Sequence, residues 1–270
     1  MARLDGTVGH INEASLRRHV QWRDLLRYRR IDTVFELLLP VPWLAGTVWL
    51  AAQGQYLLAL PCTFFLFLML LRVAHNGYHN ALGLPRGATD VTLWLMSGLM
   101  MLPLHAVKVT HLEHHKHCLG ELDIEGEAGR KSFWSVVAYG PRLPIDVLRA
   151  AWREGGTHIR IWIAAETALI AGVWIAVFAT GWPALAYHAI VMTAGECFTA
   201  FFAVWIVHHG TEDHIYPART QRGWLKNWIS YSMFLHAEHH LFPSVPTFRL
   251  RELARRPDHF APDVARKQVI

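Results

Sequence analysis

Eight histidines fall in three short clusters: His75 and His79 in HNGYH, His111, His114 and His115 in HLEHH, and His236, His239 and His240 in HAEHH. Spacings of three and four residues stack side chains on one face of a helix, about one turn apart. Such a face presents imidazole nitrogens in a row, which is a metal-ligating surface. Catalytic zinc commonly takes three protein ligands and keeps one position open. Eight or nine imidazoles exceed that need and suit two ions with roughly four or five nitrogens each. Neutral imidazole serves iron, copper, zinc and nickel alike, so ligand type leaves the metal open. A redox metal beside lipid points to iron and dioxygen chemistry, with zinc as the alternative occupant.

The adjacent pair His208 and His209 offers one further ligand, because neighbours on a helix diverge by about 100° and cannot both face one centre. His208 is the favoured ninth ligand and His209 its alternative. His105, His117 and His214 flank the clusters and read as outer partners or surface groups. Metal-bound imidazoles usually donate their distal N–H to a carboxylate or carbonyl. Glu113, Asp123, Glu125, Glu212, Asp213 and Glu238 supply such carboxylates, with the pairing left open. Asn227 reads better as a helix cap than as a group beside the metal.

These clusters must be positioned by apolar elements. Of the 270 residues, 53% are hydrophobic and 17% charged, a deficit of charge that points to lipid. Apolar stretches at about 33–53, 55–75, 159–180 and 184–207 each reach the roughly 20 residues needed to cross a bilayer core. A fifth, at about 91–104, is too short and is expected to lie in the interface or to dip in and return. The expected fold is all-α and integral to the membrane, with four transmembrane helices as two hairpins under a cytoplasmic, histidine-rich cap. Seven of the 26 Lys and Arg precede the first span, eight lie between Asn76 and His158, and nine follow His208. The connections Gln53–Gln55 and Thr180–Trp182 carry none. By the positive-inside bias, both termini and all three clusters are cytoplasmic. Two carboxylates, Glu166 and Glu196, fall inside spans and should face protein or a polar cavity. A protonated, hydrogen-bonded Glu196 tying helices together is preferred to a place beside a substrate tunnel. His188 is expected near the outer surface in a structural role.

Residues 1–30 form a basic segment without the features of a cleavable signal peptide. Leu16, Val20, Leu25 and Leu26 are spaced there among arginines, as in an interfacial amphipathic helix or a solvated arm. Residues 31–270 are expected to form one membrane domain. Cys62, Cys118 and Cys197 make neither a disulfide framework nor a Cys-x-x-Cys knuckle. The net charge of +5 is explained by membrane orientation, so no nucleic-acid partner is expected. A rival class, a metal carrier or haem-binding electron carrier, would place ligands along facing spans rather than crowd them at one side.

Arranged as HNGYH, HLEHH and HAEHHLFPSVP, the clusters resemble the three histidine boxes of the membrane fatty acid desaturase and hydroxylase superfamily. The resemblance covers nearly the whole chain, and His236–Pro246 is its most specific part. It implies two non-haem iron ions that activate dioxygen and remove hydrogen from an unactivated C–H bond. The implied ligands are the eight box histidines, with His208 in the place of an extra one. The implied activity is a monooxygenase-type oxidoreductase of lipid metabolism that desaturates the acyl chain of a lipid. A hydroxylase or a carotenoid ketolase or hydroxylase is the alternative. His75 and His79 enclose three residues where the acyl-CoA branch has four, and Val204 or Trp205 stands where that branch has Asn. Thr247 and Phe248 replace the PWW ending of the carotenoid ketolases, so acyl chains are preferred. Electrons are expected from a ferredoxin or b-type cytochrome, because no haem signature or Gly-rich nucleotide fingerprint is evident.

Overall fold

The computed structural model describes residues 13–212 and 216–257. Its regular elements are helices, with no β-strand among the described residues. The chain divides into two compact units: a larger one from Arg27 to Gly210, and a smaller one that joins the N-terminal residues through Leu26 to the chain from Thr211 onward. The first helix, α1 (Glu13–His19), belongs to the smaller unit.

Three helical stretches of the larger unit are long and apolar enough to cross a membrane. The first joins α2 (Arg30–Leu38) to α3 (Val41–Ala52) across Pro40, which lacks the N–H that would continue the ladder. The second is α4 (Tyr56–Tyr78). Leu66, Leu70 and Ala74 recur every four residues along it and are fully buried, while Leu57 is 82% exposed near its start. A helix with one packed stripe and apolar residues elsewhere is what a span bordered by lipid requires. Between α3 and α4 the chain reverses through Gly54, whose φ of +72° favours glycine. At the other end of α4, Arg72 grips Glu36 of α2 with two bonds, of 2.5 and 2.7 Å, and Asn76 adds a third of 2.8 Å. This buried lock lies within one turn of His75 and His79.

Next come α5 (Arg86–Met100) and α6 (Leu104–His117), folded on one another by 109°. Met101 takes a left-handed conformation, Pro103 has no N–H, and the Ser97 hydroxyl accepts the Leu104 N–H at 3.0 Å. The expected short stretch at 91–104 is thus a helix followed by a sharp reversal that launches the second histidine cluster. Three short helices follow: α7 (Gly126–Gly129), α8 (Phe133–Tyr139) and α9 (Leu143–Glu154). Their Ala128, Val136, Leu143 and Val147 share a core with Ala106 and Ile163. The third long helix, α10 (Thr157–Thr180), ends at Gly181 in a left-handed cap.

The stretch expected to cross at 184–207 is interrupted. Helix α11 (Pro183–Glu196) gives way to a π-helical turn at Ala200–Trp205 and then to α12 (Ile206–His208), with a bend of 43°. At the break, the Thr199 hydroxyl donates to the main-chain carbonyl of Glu196. Such local side-chain bonds compete with the helical ladder.

In the smaller unit, α13 (Trp224–Ile229), α14 (His236–Leu241) and α15 (Thr247–Leu253) accompany α1. Leu16, Val20 and Leu25 are buried with Leu235, Leu241, Phe242, Val245, Leu250 and Leu253. The N-terminal segment, read from its spacing as an interfacial helix or a solvated arm, packs Leu16, Val20 and Leu25 into the core of this unit. Arg256 fixes it further by pairing with Asp24 at 2.7 and 2.9 Å. Ile11 and Asn12 lie outside the described residues.

Candidate metal centre

Helix α4 delivers His75 and stops at His79, and α6 carries His111, His114 and His115. His75, His79 and His111 each offer a ligand atom within 4.8 Å of the other two. His79 Nε2 lies 3.1 Å, and His115 Nε2 3.2 Å, from His111 Nε2. A second set forms where α12 ends, with His114 Nε2 3.0 Å from His208 Nε2. Gly129 permits this approach, because a Cβ there would stand 3.1 Å from that of His208.

The outer nitrogens explain the inner ones. His111 Nδ1 meets Glu125 Oε2 at 3.1 Å, and His114 Nδ1 meets Asp123 Oδ2 at 2.6 Å. Both carboxylates are themselves held. The Thr110 hydroxyl donates to Glu125 at 2.7 Å, and the N–H groups of Leu119 and Gly126 each donate to Asp123 at 2.8 Å. An imidazole that donates from Nδ1 presents an acceptor lone pair at Nε2. Inner nitrogens about 3 Å apart then need a proton or a cation between them. Two nitrogens bound at right angles to one ion, each at about 2.1 Å, stand about 3.0 Å apart. The carboxylate–imidazole pairs therefore fit metal ions at these clusters.

Protonation follows the same division. Burial, and then the neighbouring His111, push the His79 imidazole down to about 2. Burial and the surrounding imidazoles also hold His115 far below the ordinary histidine range. Neutral imidazole is the form that ligates metal. At His114 burial acts against the charge, but the bonds to Asp123 and Cys118 outweigh it and lift the group to about 10. Asp123 shows the counterpart: burial raises it, and the His114 bond brings it below its usual value.

In the smaller unit, α14 brings His236 and His240 together with their Nε2 atoms 3.1 Å apart, and the His236 and His239 rings 5.8 Å apart. Arg17 clamps the end of this helix by donating to the carbonyls of Leu241 and His240 at 2.7 and 3.3 Å. Glu238 points away from imidazole chemistry, accepting from the Thr220 hydroxyl and from Arg222 Nε.

Other expected residues have different tasks. His209 bonds the Gly129 carbonyl at 2.9 Å and stacks on Trp205, apart from the His114–His208 pair. His105 bonds Glu166 and Asp90 and stacks on Trp162. His117 and Glu113 pair near the surface, and His188 bonds the Leu99 carbonyl. Asn227 caps no helix end: it lies inside α13 and donates to the Gln221 carbonyl. Asp213 and His214 lie outside the described residues. Sequence reasoning passed over Cys118, whose sulfur lies 3.8 Å from His208 Nδ1 and 4.0 Å from His114 Nε2. The sequence did carry a signal, since Cys118 stands one turn after His114.

A family model described as fatty acid desaturase matches residues 47–268, which is most of the chain. No match was found among curated proteins or among solved structures.

Proposed function

The chain belongs to the fatty acid desaturase family, and we propose that it is a membrane-bound, dioxygen-dependent oxidase that desaturates the acyl chain of a lipid. The observation that carries this reading is the pair of carboxylate-backed imidazoles, Glu125–His111 and Asp123–His114, each with its inner nitrogen turned toward another histidine. The proposed ligands are His75, His79, His111, His114, His115, His208, His236, His239 and His240. The inclusion of the last three rests on family membership. When bound, two iron ions would supply removal of hydrogen from an unactivated C–H bond at the expense of dioxygen and external electrons.

The protein's own contribution is placement and exclusion. Glu125 and Asp123 fix the orientation of the two rings, so that each Nε2 faces a neighbouring histidine. The Arg72–Glu36–Asn76 lock holds the end of α4, and with it His75 and His79, against α2. Apolar residues around α4 and α6 keep water from the reacting carbon, which favours abstraction of hydrogen over side reactions. Small shifts in chain placement separate loss of a second hydrogen from oxygen insertion, so a hydroxylase outcome is the neighbouring reading.

In this proposal the charge bias places both termini and the histidine clusters on the cytoplasmic side. Basic residues on that side receive an acidic ferredoxin or b-type cytochrome as electron donor. The test is expression in a host with compatible reductants, with metal content measured on the purified protein and lipids and pigments analysed by mass. Loss of two hydrogens from an acyl lipid is expected. Gain of one oxygen would mark a hydroxylase and a new carbonyl a ketolase. Metal flux into vesicles without oxygen consumption would overturn the oxidase.

A further inference from the structure

Helix α9 buries one side and mixes two kinds of residue on the other. Leu143, Val147, Ala150 and Ala151 are buried, and Leu143, Val147 and Ala151 share a core with Ala106 of α6 and Ile163 of α10. The opposite side is exposed and carries Ile145, Arg149, Trp152 and Arg153. At about 100° per residue, Ile145 and Trp152 fall within about 20° of each other and form an apolar edge. Arg149 and Arg153 stand one turn apart along a neighbouring stripe. Ile145 is 49% exposed and Trp152 47%, so the core of the larger unit covers neither.

The other arginines of this region are engaged. Arg142 pairs with Asp146 at 2.9 Å, and Arg160 donates to the carbonyls of Trp152 and Arg153 at 2.8 and 3.2 Å. Arg149 and Arg153 pair with no carboxylate among the described residues. Arg160 lies in the first turn of α10, a helix long and apolar enough to cross a membrane. Its two bonds fasten the last turn of α9 beside the start of that span, which sets α9 at the depth where α10 enters the lipid. Ile161, next to Arg160, is 63% exposed. Tryptophan gathers at this depth, and arginine stems lie along apolar surface with their charge among the headgroups.

We propose that α9 lies in the membrane interface and binds an anionic phospholipid through Arg149 and Arg153, with Ile145 and Trp152 set among its acyl chains. The inference goes beyond the oxidase reading and rests only on α10 crossing the membrane. Each guanidinium offers a planar fork of donors that matches phosphate oxygens. The choline cation of phosphatidylcholine offsets the attraction, whereas phosphatidylglycerol keeps its net charge. An acidic soluble protein would meet the same two cations but leave the apolar edge uncovered, and an interfacial helix satisfies both.

The test uses the full chain in nanodiscs of equal parts phosphatidylglycerol and phosphatidylcholine, with the retained lipid identified by native mass spectrometry. A cation close to an anionic lipid contributes roughly fivefold, so the two should give a preference for phosphatidylglycerol of roughly 25-fold. Arg149→Gln and Arg153→Gln should each lower it roughly fivefold, and the double variant should bring it near parity. Arg251→Gln, which removes an exposed charge on α15 of the smaller unit, should leave it unchanged. Equal retention of the two lipids overturns the proposal, as does a preference that the double variant keeps or that Arg251→Gln lowers as much. A second readout addresses the apolar edge: Trp152→Phe should remove fluorescence that brominated acyl chains quench. If the emission it removes is quenched by aqueous iodide and not by those chains, α9 faces water and the proposal fails. Slower reduction of the double variant by an acidic ferredoxin, with its lipid preference unmoved, would assign the stripe to the electron donor and overturn the lipid site.

Discussion

Replacing Asp123 by Asn tests whether the carboxylates behind the histidines hold a metal site. Asp123 accepts from His114 Nδ1 at 2.6 Å with both side chains almost wholly buried, and two main-chain N–H groups anchor it from behind. Asn fills the same volume and, with its oxygen in the place of Oδ2, still accepts from His114 and the Leu119 N–H while giving up the Gly126 bond, so the fold should survive. What it removes is one negative charge at the outer edge of an imidazole. A hydrogen bond to a charged group contributes about 1.5–3 kcal/mol. At about 1.4 kcal/mol per decade, its loss weakens metal binding roughly 10–100-fold. The loss should fall on the ion bound by His114 and His208, while Glu125→Gln should weaken the ion bound by His75, His79 and His111. Metal content would be followed by elemental analysis during titration with a graded chelator. Each single variant should give a two-step release with one step displaced, and the double variant should displace both. Glu113→Gln, which alters only a surface pair with Lys116 and His117, is the control. If Asp123→Asn holds both ions as firmly as Glu113→Gln does, the carboxylate-backed site is wrong.

The remaining expectations concern the ligands, the lock and the electron donor. His79→Ala, His115→Ala or His239→Ala should each abolish product and leave membrane insertion intact; near-normal turnover in two of them would refute a shared set. His19 bonds the Ser15 carbonyl one turn back, and His259 lies outside the described residues. Both should be dispensable, and a dead enzyme from His19→Ala would show that the ligand set is incomplete. Arg72→Met leaves Glu36 as a buried, unbalanced charge, so thermal unfolding in detergent should reveal a loss of about 3–5 kcal/mol. Adding Glu36→Leu should recover most of it, and an unchanged melting curve for Arg72→Met alone would remove the lock from the account. Raised ionic strength should slow reduction by a ferredoxin, and a rate indifferent to salt would argue against docking on a basic face.

Residue type and spacing made the histidine clusters legible, because three- and four-residue steps have a fixed meaning on a helix. His115 meets His111 in the larger unit as that spacing implies, and His236 meets His240 in the smaller; the approach of His79 to His111 is something spacing within a cluster does not carry. The choice between His208 and His209 was legible only as an exclusion: neighbours diverge by about 100°, but nothing local says which one turns inward. The structure turns His208 toward His114 and occupies His209 with Trp205 and the Gly129 carbonyl. The carboxylate pairing was illegible for a related reason. Asp123 and Glu125 lie on a loop and its first turn, and only the fold of 118–129 decides which ring each one meets. Glu238, inside the third cluster itself, looked as plausible as either and serves Arg222 instead.

The membrane-crossing stretches were legible as lengths of apolar chain, and their breaks were not. Hydropathy averages over a window, so it sees 184–207 as one continuous segment. At the interruption between Glu196 and Ala200 a hydroxyl bonds the preceding turn, a local detail that an averaged scale does not register. An averaged scale also treats Glu36, Glu166 and Glu196 as three equal penalties. They are not equal: an arginine and an amide answer the first, a histidine answers the second, and no described residue answers the third. Buried polar groups in folded proteins are nearly always paired, and a carboxyl enclosed among apolar residues is among the most costly to leave otherwise.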